Sequence, residues 1–210
     1  MLTRTRLGFN GSAMKKEEQI RAWIRNRQST FLKGLREGGK IDDQLIEELL
    51  ENASWAPSHG LVQAWEFKVF AGKGLEAFYK KQQEIYKITT PAEKYLEDKY
   101  RKIGEKHRFV SHVIAIIMRR DPKKRFPKQE DLVSVACATQ NIYLSLQAYG
   151  IAGYLSTGDI CYRTENREFL GLGVVDECIG FFTLGLPDEH YERPPRKRLP
   201  AKEKTEWIRS

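Results

Sequence analysis

The chain has 210 residues, of which 40% are hydrophobic and 30% are charged, and its formal net charge is +8. This composition is typical of a globular protein and excludes a disordered or fibrous chain. The longest apolar run, from Val113 to Met118, is far shorter than the roughly 20 residues that span a bilayer, so we predict no membrane association. We expect residues 1–13 to be a disordered leader and residues 14–210 to form one domain.

The cysteines and the charge distribution narrow the class of protein further. The three cysteines are far apart, with neither a CxxC pair nor a Cys/His spacing suited to zinc. We therefore predict no metal site and a reducing, cytoplasmic location. Much of the positive charge lies between Lys80 and Lys128 and between Arg193 and Arg198. Such an excess suits nucleic acid, an anionic surface or a phosphate-bearing small molecule, or serves only solubility.

The first elements are two helices and a strand. Helical periodicity predicts a helix from Lys15 to Arg27 and a second one that begins at Asp42 or Asp43. The segment from Trp65 to Ala71 alternates apolar and polar residues, which predicts a strand that is buried on one face.

The middle of the chain combines a polar helical stretch with a very apolar strand. Leu75 to Arg108 is rich in lysine and tyrosine, and Pro91 divides it into two helices. Its low apolar content favours an excursion that lies over the main body as a lid or a dimer arm. His112 to Arg119 is β-branched and nearly all apolar, which predicts a central strand covered on both faces.

The last third is predicted to hold a long helix, two strands and a short helix before the tail. The long helix runs from Gln129 to Tyr149, the strands cover Ile151 to Leu155 and Cys178 to Leu186, and the short helix runs from Thr164 to Gly171. Residues 187–210 are basic and proline-rich, so we expect an extended tail. The layout predicts an α+β fold with an antiparallel or mixed central sheet packed by helices.

Four polar patches could hold a ligand: Arg25 to Thr30, Trp55 to Phe67, Leu155 to Gly158 and Arg196 to Pro200. Arginine forks suit phosphate, and two separated arginine patches can clamp one phosphate from both sides. The same arginines could instead cap a helix or remain solvated. No GxGxxG opens a helix after a strand and no GxxxxGK[ST], HExxH or GxSxG occurs, so a dinucleotide is not held in the usual Rossmann way.

In their order and spacing these patches resemble the FMN-dependent nitroreductase family, and most closely its smaller bacterial branch. The resemblance covers residues from about 17 to about 208, and it rests on the joint order of several motifs. These are Arg27-Gln28-Ser29-Thr30, Ala56-Pro57-Ser58-His59, Gln63-Ala64-Trp65-Glu66-Phe67, Ala138-Thr139-Gln140-Asn141-Ile142-Tyr143-Leu144, Gly150 to Gly158, Gly185-Leu186-Pro187 and Arg196-Lys197-Arg198.

The resemblance implies an intertwined homodimer with one FMN at each subunit interface, reduced by NAD(P)H and reoxidised by a small-molecule electron acceptor. It implies cofactor contacts from Arg27, Gln28, Ser29, Pro57, Ser58, His59, Leu155, Ser156, Thr157, Arg196 and Arg198. The arginines would bind the phosphate or ribityl chain, and the two loops would line the flavin. The flavin carries out the chemistry, so we assign no catalytic side chain.

The sequence departs from the family pattern at several positions. Ala64 replaces the usual proline before Trp65, and Leu61 stands where larger members place an asparagine facing the flavin. Phe31 and Leu32 follow Ser29 where many members have a cation. These changes leave open the redox tuning and the choice of substrate.

Two alternative functions remain open at this point. One is reductive dehalogenation or flavin fragmentation, which relatives on this fold carry out. The other is a nucleic-acid-binding module that uses the basic stretch from Lys80 to Lys128 together with its tyrosines. We expect the flavin enzyme, without nucleic acid as a partner.

Overall fold

The computed structural model describes residues 14–121, 123 and 125–209 and has a four-stranded sheet at its centre. The strands are β1 (Trp65–Ala71), β2 (His112–Met118), β3 (Ala152–Ser156) and β4 (Glu177–Gly185). They lie in the order β1-β2-β4-β3, and every pair is antiparallel. The fold is therefore α+β, as the sequence predicts. None of the helices in the described ranges is long and apolar enough to cross a membrane.

Among the described residues six α-helices surround the sheet, and most of their bounds agree with the sequence patterns to within a few residues, except that the helix predicted to follow Pro91 begins only at Glu97. They are α1 (Lys16–Asn26), α2 (Asp43–Ser54), α3 (Gly72–Thr89), α4 (Glu97–Glu105), α5 (Lys128–Ser145) and α6 (Thr164–Phe169). The Asp42 side chain caps α2 by accepting a hydrogen bond from the Gln44 backbone N–H at 3.0 Å. The tail after β4 is extended except for a short 3₁₀ helix at Ala201–Lys204.

The central strand β2 divides the core into two layers. All seven of its residues are buried. Alternate side chains face opposite sides of the sheet, so Ile114 and Ile116 pack with α2 and α5, whereas Val113 and Ile117 pack with the α3 side. Complete burial of each such aliphatic side chain stabilises the fold by about 1.5–3 kcal/mol. The β-branched run therefore explains why this strand lies at the centre.

The polar stretch after β1 lies over the sheet, but its first helix contributes to the core. Leu75, Phe78 and Ile85 of α3 are buried, and Tyr79, Gln82 and Tyr86 are buried beside them. In contrast, α4 has no buried residue. Hydropathy understates the burial of α3 because tyrosine and glutamine count as polar.

Candidate functional site

One group of side chains lies where the C-terminal end of α1 meets β3, α5 and the tail. We call this group the phosphate corner, and its members are Arg27, Ser29, Tyr143, Leu155 and Arg196. The Tyr143 hydroxyl accepts the Leu155 backbone N–H at 2.8 Å and pairs with the Ser29 hydroxyl at 3.2 Å. The Arg27 guanidinium lies over the Tyr143 ring, 4.8 Å from its centroid. Arg196 donates to the Arg27 carbonyl. Tyr143 therefore joins three segments that are distant in sequence.

The chain folds this way because the segment after α1 pairs with the free edge of β3. The Thr30 backbone N–H donates to the Gly153 carbonyl at 2.9 Å. Gly153 has to be small, since a Cβ there would lie 2.4 Å from the Thr183 carbonyl oxygen on β4. This pairing fixes Ser29 beside Leu155.

The phosphate corner has uncompensated positive charge. Arg27 and Arg196 approach each other, and among the residues that the structure describes neither forms an ion pair with a carboxylate. A half-buried guanidinium, that of Arg27, an exposed one, that of Arg196, and a hydroxyl suit a phosphate, which accepts charge-assisted hydrogen bonds from such donors. The residues therefore fit the phosphate end of FMN.

Other predicted contact residues lie around this corner without converging on it. The Gln28 side chain donates to the Pro194 carbonyl at 3.2 Å, which holds the tail against α1. Arg198 is exposed and bonds only to the neighbouring Lys197 carbonyl, at 2.8 Å, within the described part of the chain. Ser156 is half-buried at the end of β3, and Thr157 is exposed in the loop that follows.

A second group of predicted residues, Pro57, Ser58 and His59, lies at the start of α5, and we call it the His59 corner. His59 pairs with Glu130 and stacks on Phe126, with 4.1 Å between ring centroids. The Ser58 hydroxyl accepts the Gln63 backbone N–H at 2.7 Å. A shallow pocket of about 460 Å³ opens between this loop and α5.

The backbone after His59 is strained. Leu61 has φ of +53° and Gln63 has φ of +50°, values that non-glycine residues rarely adopt. Gly60 has φ of +56°, and a Cβ there would lie 2.5 Å from the Phe126 ring. Leu61 is 83% exposed, so packing against the described part of the chain does not explain its conformation. Strain of this kind clusters at ligand sites.

The two corners are separated within one chain. His59 contacts Glu130 and Ser29 contacts Tyr143, and these two α5 residues are 13 positions apart. At about 1.5 Å per residue, this places the corners about 20 Å apart along the helix. The structure thus brings together three of the four polar patches from the sequence and leaves the Trp55 to Phe67 patch at the other end of α5.

A larger cavity of about 940 Å³ lies on the opposite face of the sheet, between α3, α4 and the β3–β4 edge. We call it the basic cavity. Its lining includes Ser156, one of the residues predicted to contact the flavin. It also takes in Tyr79 and Tyr86, which the nucleic-acid hypothesis needs on the surface. Both tyrosines are buried, and this argues against a base-stacking surface on this stretch.

Tyr143 is not among the contact residues that the sequence predicts, although it connects the phosphate corner. Its position fits the apolar period of α5, which predicts a place in the helix core. A tyrosine on the apolar face of a helix is itself a signal, because its hydroxyl needs a hydrogen-bond partner when the ring packs inward.

An antiparallel α+β sheet with a cationic corner at its edge suits the binding of a phosphate-bearing small molecule. The model of the Nitroreductase family matches residues 24–186, and the chain belongs to this family.

Known proteins similar to this chain agree with that assignment. The Escherichia coli K12 protein named "Putative NAD(P)H nitroreductase YdjA" is 26% identical over 142 residues, which cover 68% of this chain and 75% of that protein. A nitroreductase-like family protein from Bacillus cereus superposes with a TM-score of 0.75 at 24% identity, over 93% of this chain and 99% of that one. A nitroreductase with bound FMN from Bacteroides fragilis superposes with a TM-score of 0.63 at 17% identity, over 86% of this chain and 95% of that one.

Proposed function

We propose that the protein is an FMN-dependent oxidoreductase that takes a hydride from NAD(P)H and reduces a nitroaromatic, a quinone or a similar electron-poor acceptor. The donor and the acceptor use the same site in turn, in a ping-pong mechanism. When bound, FMN supplies the redox chemistry, so the protein needs to bind, orient and shield rather than to provide a catalytic side chain. Family membership supports the reaction class, and the FMN in the Bacteroides fragilis neighbour supports the cofactor.

The observation that carries this proposal is the uncompensated phosphate corner. Arg27 and Arg196 would bind the FMN phosphate, and Ser29 would donate a hydrogen bond to it or to the adjacent chain. Tyr143 acts through Ser29 and Leu155, so it is a positioning residue. The loop from Leu155 to Thr157 would meet the ring end of the cofactor.

The separation of the two corners supports a homodimer with FMN between the subunits. A corner that lies about 20 Å away in its own chain can meet the phosphate corner of a second copy across a twofold axis. Several large apolar side chains are exposed on α1 and the tail beside the phosphate corner and at the start of α5 beside the His59 corner, as an interface requires. They are Ile20, Trp23 and Ile24 on α1, Leu132 and Val133 on α5, and Leu199, Trp207 and Ile208 in the tail.

A cytoplasmic location is part of the same proposal. The described cysteines, Cys137, Cys161 and Cys178, are all free thiols, which is typical of a reducing compartment.

The experiment is to purify the protein with added FMN and to record the flavin absorbance before and after NADH or NADPH. We expect retained flavin absorbance that bleaches on addition of the donor and returns with a nitroaromatic acceptor. Arg27→Gln should weaken FMN binding by about tenfold, the loss typical of one charge-assisted hydrogen bond. Arg21→Gln, an exposed arginine earlier on α1, is the matched control. Protein that neither retains nor rebinds FMN would overturn the proposal.

A further inference from the structure

The basic cavity has aromatic walls and a charged rim. Tyr79, Tyr86 and Tyr154 line it from α3 and β3, and its volume of about 940 Å³ accommodates a small aromatic molecule with room for solvent. Ser156 at its edge connects it to the loop that would meet the flavin ring. A molecule in the cavity would therefore lie beside the cofactor.

The positive charge of this rim is not neutralised by the protein. Lys94, Lys99 and Lys106 line the cavity, and among the described residues none of them forms an ion pair. Arg163 also lines it, but its Nε donates to Asp159 Oδ2 at 2.7 Å, and Asp159 is thereby neutralised. Three lysines are left facing the cavity without a carboxylate.

The tyrosines do not offset this charge. Burial raises the pKa of Tyr79 and of Tyr154, so both phenols stay protonated and neutral. Burial lowers the pKa of Lys106, and the nearby charge of Lys99 lowers it further. Keeping Lys106 charged in this position therefore costs free energy. The Lys99 ammonium lies 4.8 Å from the Tyr86 ring centroid, close to an aromatic face. An anion next to the two lysines would relieve the cost at Lys106.

We propose that the basic cavity is the acceptor pocket and that it selects aromatic acceptors carrying a carboxylate or another acid group, which Lys99 and Lys106 bind. This rests on the proposed flavin reductase function and deepens it. The ring lies against the tyrosine wall, and its electron-poor end points towards Ser156. For a nitro acceptor the two-electron step balances as NAD(P)H + H⁺ + ArNO₂ → NAD(P)⁺ + ArNO + H₂O.

The test compares 4-nitrobenzoate with 4-nitrobenzamide, which have similar shape and differ in charge. We expect the holoenzyme to prefer the carboxylate in kcat/KM by about tenfold, the effect of one charge-assisted hydrogen bond. Lys106→Gln should remove most of this preference by lowering kcat/KM for the carboxylate. Lys102→Gln is the matched control, because Lys102 is exposed on α4 and lies outside the cavity lining.

A second readout avoids turnover altogether. Calorimetric titration of the wild type with benzoate and with benzamide should show tighter binding of benzoate, and Lys106→Gln should abolish the difference while its melting temperature shows that it is folded. The proposal would be overturned if the wild type bound benzoate and benzamide equally. It would also be overturned if Lys106→Gln changed only the KM for NAD(P)H. Loss of the FMN spectrum with benzoate selectivity intact would instead overturn the proposed function, so the two failures are distinguishable.

Discussion

The hydroxyl of Tyr143 is the atom on which the phosphate corner most depends, and Tyr143→Phe removes it alone. In the structure it accepts the Leu155 N–H at 2.8 Å and pairs with the Ser29 hydroxyl at 3.2 Å. The ring stays in place against Phe182, 4.5 Å away between centroids, so packing is preserved. The variant thus loses two hydrogen bonds and leaves the Leu155 N–H without this acceptor.

The size of the effect follows from these two bonds. Each neutral hydrogen bond contributes about 0.5–1.5 kcal/mol, so the free energy of unfolding should fall by about 1–3 kcal/mol. For a chain of this length, each 1 kcal/mol lowers Tm by about 2–4 °C, which gives a fall of roughly 2–12 °C in the cofactor-free protein. Since Ser29 and Leu155 are then less well fixed, the Kd for FMN should rise about three- to tenfold.

The assay measures both quantities on the same samples, the Tm of the cofactor-free protein and the FMN dissociation constant by absorbance titration. Tyr162→Phe is the control, since Tyr162 is 71% exposed and removal of its hydroxyl should change neither value. A purely structural role for Tyr143 would lower Tm and leave the FMN Kd unchanged. That result would refute the argument that Tyr143 positions the cofactor contacts.

Two further predictions concern the sheet and its charged edge. Gly153→Ala should lower the free energy of unfolding by about 1–3 kcal/mol, because the new Cβ would lie 2.4 Å from a carbonyl oxygen of β4. Gly74→Ala is the control, since a Cβ at Gly74 has no atom within 4 Å and should not lower the stability. Urea unfolding measures the free energy for both variants. The hydrogen bond from Arg119 lowers the pKa of Glu66. Burial raises the pKa of Asp176, but hydrogen bonds from Arg119 and from two backbone N–H groups outweigh burial, so the pKa of Asp176 is lowered as well. Both carboxylates therefore stabilise the fold above roughly pH 4, and this stabilisation is lost as the pH falls through their lowered pKa values. Arg119→Met should therefore make the midpoint of urea unfolding depend less on pH on the acid side. An unchanged pH profile would contradict this prediction.

Much of the fold could be predicted from local sequence patterns. The β-branched run from His112 identifies the central strand, and Asp42 identifies the start of α2, because both signals act over a few residues. The burial of α3 is harder to predict, since its inner face uses Tyr79 and Gln82, whose polar atoms hide their packing role from hydropathy. Periodicity also identifies the apolar face of α1, but it does not show what packs against that face. In the single chain Trp23 on this face is 43% exposed.

The candidate site was predictable in its parts but not in its assembly. Motif order along the chain predicted cofactor contacts from Arg27, Ser29 and Arg196; the structure brings these residues together, and their contact with FMN stays a prediction. Motif order carries no information on tertiary distance, so it could not show that His59 lies at the other end of α5. Nor could it identify Tyr143, whose role depends on a hydrogen bond between segments far apart in sequence.

The most direct test of a cofactor site shared between subunits is intersubunit complementation. One chain carries Arg27→Gln with Ser29→Ala, and the other carries Ser58→Ala with His59→Ala, each with its own affinity tag so that mixed dimers can be isolated. If each site combines corners from two chains, a mixed dimer has one intact site and one doubly altered site. We predict that it retains FMN at about half the wild-type content, whereas each variant alone retains little. Mixed dimers that bind no more FMN than the parent variants would contradict the shared site.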